Sequence, residues 1–370
     1  MPPNATDSER AHVIPGQLRS AREAMALSVA EAAASLRVSG DELRGWESGI
    51  SRPSIEQLWA MSELYARDVG YSLQTTPPPP RHISFRLAHA RSLRDLSAEA
   101  RRALVQFQEL CRAAAELEAL LGLPRPRLEK APPSLAPDAL AQRQRQRLGL
   151  GTGPIENLRG VLENEGLQVF EVPAPQGEFA GFSWWYGDSV PCVLVNARDP
   201  AGRRTFTLAH EYGHLLRQDQ ASLCDPEARL PEERFTNRFA ACLLMPEHDL
   251  IAQCDRYHIT PTTFSLDGVA RLARRYHVSV EAMARRLEEV GRVPRGGADA
   301  LIRELSTRRP YYPRPAIPRW RRQVGHTYAD HAIRAYSQGL ISLSRLAQYL
   351  GVNVSKAFEI VGAPPVRAAK

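Results

Sequence analysis

The chain has 370 residues, 24% of them charged and 43% hydrophobic, with a formal net charge of +7. That length exceeds one ordinary core and sets an expectation of two or three domains, while no apolar run approaches the length of a membrane span. The opening residues lack the basic-then-apolar pattern of a signal peptide, and five scattered cysteines without a C-x-x-C pair argue against both a disulfide framework and a cysteine zinc site, so the chain reads as cytoplasmic with no membrane partner.

The charge is unevenly distributed. Residues 1–80 carry net −3, 81–150 net +6, 151–290 net −6 and 291–370 net +10. Basic character therefore belongs to the second segment and the C-terminal tail, and arginine supplies nearly all of it, since lysine occurs only at Lys130, Lys356 and Lys370.

In chain order, residues 14–65 read as a set of short helices. Leu27-Ser28 caps one helix, Leu36 to Ser39 makes a tight connection, Asp41 to Trp46 starts a second, and an amphipathic helix follows from Ile55. Over about fifty residues this stretch resembles the XRE (lambda-repressor-like) helix-turn-helix family, with Leu18, Arg22, Leu27-Ser28, Ala33, Leu36, Val38-Ser39, Leu43, Trp46-Glu47 and Gly49 at matching places. The resemblance implies an all-α domain over 1–76 and puts Asp41, Glu42 and Arg44 in the position that faces DNA. Only Arg44 offers donors that read guanine, Asp41 and Glu42 could accept from cytosine, and a net-negative domain lacks the counterion-release term. Double-stranded DNA and a docked protein both stay open as its partner, as does a homodimer.

Pro77 to Pro80 marks a boundary, and residues 77–150 read as a Pro-bounded linker with one long helix, Ser84 to Leu121. Pro124 to Pro137 is a second loose stretch, and Arg143, Arg145 and Arg147 beyond it read as a solvated face. Residues 151–290 change to a mixed composition. Ile155 to Glu165 reads as a helix and Leu167 to Val172, Gly181 to Tyr186 and Val190 to Asn196 as strands, the last of them either an edge that could take a peptide as an added strand or, equally, an interior strand.

Next comes Phe206 to Leu216, FTLAHEYGHLL. Histidines four apart lie one turn apart on a helix, so His210 and His214 can face one zinc ion with Glu211 beside them as general base. A catalytic zinc takes a third protein ligand. Asp219, Asp225, Glu227, Glu232 and Glu233 are in range. Glu233 is preferred because it opens a helix on which Asn237 follows one turn later, where its amide can orient a ligand. Tyr257, His248 and His258 are left as alternatives for an oxyanion donor.

With those residues in place, the run Arg204 to His214, followed by Glu233, Asn237 to Ala241 and Leu243 to Pro246, resembles the ImmA/IrrE family of metallopeptidases over about residues 150–290. Phe235-Thr236 departs from it, since glutamate-alanine is commoner there. The resemblance implies an α+β, mostly helical chain. Its peptidase domain would be zincin-like, with a small sheet and an H-E-x-x-H helix, and its activity that of a gluzincin-like zinc endopeptidase cutting a helix-turn-helix repressor. A DNA-binding or antitoxin-like regulator whose zinc domain senses or assembles is the alternative. Residues 291–370 read as a basic linker, Arg308 to Arg322, and a small helical domain around Gly339 to Ser342 and Leu350 to Asn353, a second route to DNA.

Overall fold

The computed structural model describes residues 7–67, 86–87, 93–124, 128, 130–132, 134–187, 189–218, 222–224, 231–307 and 319–362. Pro77 to Pro80, Asp219, Asp225, Glu227 and most of the Arg308 to Arg322 stretch lie outside the described residues. The architecture is mostly helical with one small sheet, and the chain parts into two compact units, 1–109 and 110–370, with the division falling inside helix Ala98–Leu121. Among the described residues no helix is long and apolar enough to cross a membrane.

In the first unit, helices Val29–Leu36, Gly40–Ser48 and Ile55–Tyr65 each begin at a serine. Ser28, Ser39 and Ser54 accept from the N3 backbone while Glu31, Glu42 and Gln57 reach back to the cap, so three capping boxes satisfy orphan donors in succession. Leu18, Met25, Ala33, Leu43, Trp46, Met61 and Tyr65 form the core. Across it Arg22 makes a bidentate contact with Glu47, 2.6 and 2.9 Å, and donates to the Leu27 carbonyl at 2.7 Å, tying helix Asp7–Ala24 to the end of the third helix.

The long helix begins later than the periodicity suggests. Ser97 accepts from the Ala100 N–H at 3.1 Å and starts helix Ala98–Leu121, after a single 3-10 turn at Leu93–Asp95. A local cap thus outranks an apolar stripe that runs on upstream of it.

In the second unit neighbouring strands of the sheet follow in the order Ser222–Cys224, Gly181–Tyr186, Val190–Asn196 and Gln168–Val172. Val190–Asn196 pairs antiparallel with Gly181–Tyr186 and parallel with Gln168–Val172, so of the two readings left open it is the interior strand and not the edge. All seven of its residues are buried, as a continuous apolar run covered on both faces requires. Of the expected solvated arginines, Arg143 is exposed, Arg147 is half-buried and Arg145 is corrected. Arg145 is buried on helix Pro137–Arg147 and donates to the carbonyls of Leu150, Gly151, Gly153 and Leu243, because an irregular turn needs donors for its inward carbonyls.

Beyond helices Leu266–Arg275, Val280–Glu289 and Gly297–Thr307, the C-terminal helices His326–Ser337, Leu343–Leu350 and Val354–Val361 follow. Ser342 and Asn353 cap the last two. Buried Glu163 accepts from Arg159 at 2.7 Å and from the N–H groups of His326 and Thr327 at 3.2 and 3.4 Å, so a carboxylate closes the N-terminus of the first.

Candidate metal centre

Helix Ala201–Arg217 is amphipathic with a long buried run, Thr207 to Leu216, and packs on strands Gly181–Tyr186 and Val190–Asn196. Two glycines let it come so close. A Cβ at Gly202 would overlap the Val278 backbone, and one at Gly213 would stand 2.8 Å from the Phe239 ring. Helix Pro231–Leu244 crosses it there, pinned by buried Phe239, Leu243 and Leu244, by Arg145 on the Leu243 carbonyl, and by Arg238 on Asp138 at 2.6 and 3.1 Å.

The two helices bring together His210, His214 and Glu233, all buried, with ligand atoms within 4.8 Å of one another. The Nε2 atoms of His210 and His214 are 3.1 Å apart. Glu233 Oε2 lies 3.0 Å from His210 Nε2, and Oε1 lies 3.5 Å from His214 Nε2. Burial pushes the Glu233 carboxyl up, but the contacts and charges of His210 and His214 outweigh it and hold the group at about 2. Asn237 Oδ1 is 2.9 Å from His210 Nδ1. An amide oxygen can only accept, so Nδ1 carries a proton and Nε2 is the ring nitrogen turned towards His214 and Glu233.

This donor set fits a zinc ion. Two imidazole nitrogens and a carboxylate converge here in a buried space, the nitrogen and oxygen donor types that zinc takes. The separations of 3.0, 3.1 and 3.5 Å bracket the roughly 3.3 Å edge of a tetrahedron whose metal–ligand bonds are about 2.0–2.1 Å. Among the described residues no other group of three His, Cys, Asp or Glu side chains is so arranged.

Glu211 is fully buried beside these ligands. Gly181 makes room for it, since a Cβ there would be 2.7 Å from Glu211 Oε1. On the opposite face Tyr212 donates to Gln144 at 2.7 Å and accepts from Arg147 at 3.1 Å, and burial pushes its phenol up to about 12 despite that guanidinium. Tyr257, one of the oxyanion alternatives, packs its ring 5.4 Å from the Arg271 guanidinium, and His258 takes a left-handed turn with φ 54°.

Thr236 is the neighbour that sequence reasoning did not assign a role. Its hydroxyl lies 3.3 Å from His210 Nε2 and 3.4 Å from His214 Nε2. Its place three residues after Glu233, on the same helical face, was the available signal. Gly181 had none, because its contact with Glu211 exists only across the fold.

In the first unit, Arg44 donates to Asp41 at 2.6 Å, with side chains 62% and 92% exposed, and Glu42 is engaged in the capping box. Ile50, Ile55 and Trp59 nearby are exposed.

Residues 162–288 match the family model described as IrrE N-terminal-like domain, within peptidase family M78, and residues 18–71 match a helix-turn-helix family model. Among curated proteins the chain is 32% identical over 176 residues to the radiation response metalloprotease IrrE of Deinococcus radiodurans, covering 45% of this chain and 52% of that protein. The chain thus spans about half the length of the relative it matches.

Proposed function

We propose that this chain, which carries a helix-turn-helix domain followed by an IrrE N-terminal-like domain, is a zinc-dependent endopeptidase acting in transcriptional regulation by site-specific cleavage of a helix-turn-helix repressor. The observation that carries this reading is the convergence of His210, His214 and Glu233 beside buried Glu211. Domain bounds of 1–76, 77–150, 151–290 and 291–370 belong to the same proposal.

In this reading His210, His214 and Glu233 hold the ion and Asn237 fixes the His210 tautomer. Zinc, when bound, polarises the scissile carbonyl and makes the attacking water more acidic. Glu211 takes the proton from that water and passes it to the departing amine, a shuttle that needs its carboxylate held near both. Its seat against Gly181 restricts it in this way. Val190–Asn196 is interior and Gly181–Tyr186 is paired on both sides at its Glu211 end, with Val190–Asn196 and with Ser222–Cys224, so addition of the substrate as a further strand is not part of this reading.

The test pairs purified protein with the repressor encoded beside it. Wild type should cut it once, and Glu211→Gln should retain zinc and cut nothing. Regulation in cells that survives Glu211→Gln sinks the peptidase reading. It would favour the second one, a DNA-binding or antitoxin-like regulator that contacts double-stranded DNA through helix Gly40–Ser48 or the basic C-terminal segment, as a homodimer, without proteolysis. The helix-turn-helix match supports that alternative.

A further inference from the structure

We propose that the Thr236 hydroxyl is an additional protein ligand of the metal centre, making its donor set two histidines, one carboxylate and one alcohol oxygen. This inference rests on the metal-centre reading above.

Thr236 is fully buried, on the face of helix Pro231–Leu244 that also carries Glu233 and Asn237. Its rotamer is held from two sides. The methyl packs into the space left by Gly213, where a Cβ would stand 3.1 Å from Cγ2, and the hydroxyl donates back along the helix to the Glu232 carbonyl at 3.0 Å, with the Glu233 carbonyl at 3.2 Å. A hydroxyl has one proton and two lone pairs. With the proton given to a helix carbonyl, the lone pairs are left for the side on which His210 Nε2 and His214 Nε2 lie, at 3.3 and 3.4 Å.

Those two distances match the edge, about 3.3 Å, that separates ligands around a tetrahedral zinc with bonds of about 2.0–2.1 Å. They lie beyond the roughly 2.7–3.2 Å usual for a hydrogen bond between nitrogen and oxygen. A hydroxyl that served only to cap its own helix could point its lone pairs anywhere. Here the oxygen stands over the edge joining the two imidazole nitrogens, at ligand spacing from both. Among these four donors the neutral Thr236 oxygen would be the weakest, and so the one that a water would replace.

The experiment compares wild type, Thr236→Val, Thr236→Ala and Thr236→Ser as full-length proteins loaded with cobalt(II) in place of zinc. It reads metal affinity by competition with a chelator and coordination number from visible absorption, with circular dichroism as the check on folding. Thr236→Val and Thr236→Ala should bind cobalt about ten-fold more weakly and give a visible spectrum altered from wild type, because the alcohol oxygen has left the ligand set, while Thr236→Ser should restore both. Wild type that binds one cobalt, with Val and Ala variants matching it in affinity and spectrum, overturns the inference and leaves the metal centre standing. Weakened binding in all three variants, serine included, also overturns it, since packing and not the hydroxyl would then be at work. Wild type that binds no stoichiometric metal removes the centre itself.

Discussion

At the scale of single residues, the centre depends on a few atoms that leave little tolerance. Replacing Glu233 with Ala removes a charged ligand and should abolish stoichiometric zinc, measured by metal analysis after dialysis. Asn237→Ala should retain zinc but weaken it by about 10–100-fold, the usual effect of losing the group that orients a ligating imidazole. Gly181→Ala should fold, hold zinc and lose most peptidase activity, because the new Cβ would stand 2.7 Å from Glu211 Oε1 and must displace it. The Glu233 carboxyl, held at about 2 against an ordinary value near 4.5, also sets a pH dependence in the metal-free protein. A depressed carboxyl contributes stability that is present above its unfolded pKa and lost as pH falls through the folded one. Denaturation midpoints of the metal-free protein should therefore drop between pH 4.5 and 2, and Glu233→Gln should flatten that limb.

At the scale of elements, two helices that are unremarkable alone make a site where they cross. Helix Pro231–Leu244 is held at its C-terminal end by Arg145, whose guanidinium serves the carbonyls of Leu150, Gly151, Gly153 and Leu243. Arg145→Met should destabilise the second unit by about 1–3 kcal/mol or more, since buried carbonyls are left without donors, and urea titration would measure it. The four capped starts of the first unit's second to fourth helices and of helix Ala98–Leu121 were readable as serines before helical patterns, though the last was placed too early by its apolar stripe. The strand Val190–Asn196 was legible in its bounds, while its place at the edge or in the interior was not. Strand order depends on which partner covers each flank, and seven buried residues look alike at an edge or in the middle until the sheet is assembled.

At the scale of the whole molecule, a helix-turn-helix unit with net-negative composition is joined to a hydrolase-like unit and a basic tail. Arg44, the one base-reading donor expected on helix Gly40–Ser48, is paired with Asp41. Asp41→Asn should therefore raise affinity for duplex DNA several-fold and steepen its salt dependence, read by gel shift across ionic strength, provided this helix faces DNA. A change confined to substitutions in the C-terminal segment would assign the electrostatic contact to the tail instead.

The sequence by itself determined what local rules govern: serine caps, the four-residue spacing that puts His210 and His214 on one face, and the Glu233–Asn237 turn that pairs a carboxylate with an orienting amide. Only the tertiary structure decided which distant atoms share a space, because that depends on how closely two backbones can approach. Gly181 admits Glu211, Gly213 admits Phe239 and the Thr236 methyl, and Arg145 turns from an expected solvated charge into a buried clamp. The HEYGH stretch carries His210 and His214, and the crossing helix brings Glu233 to them.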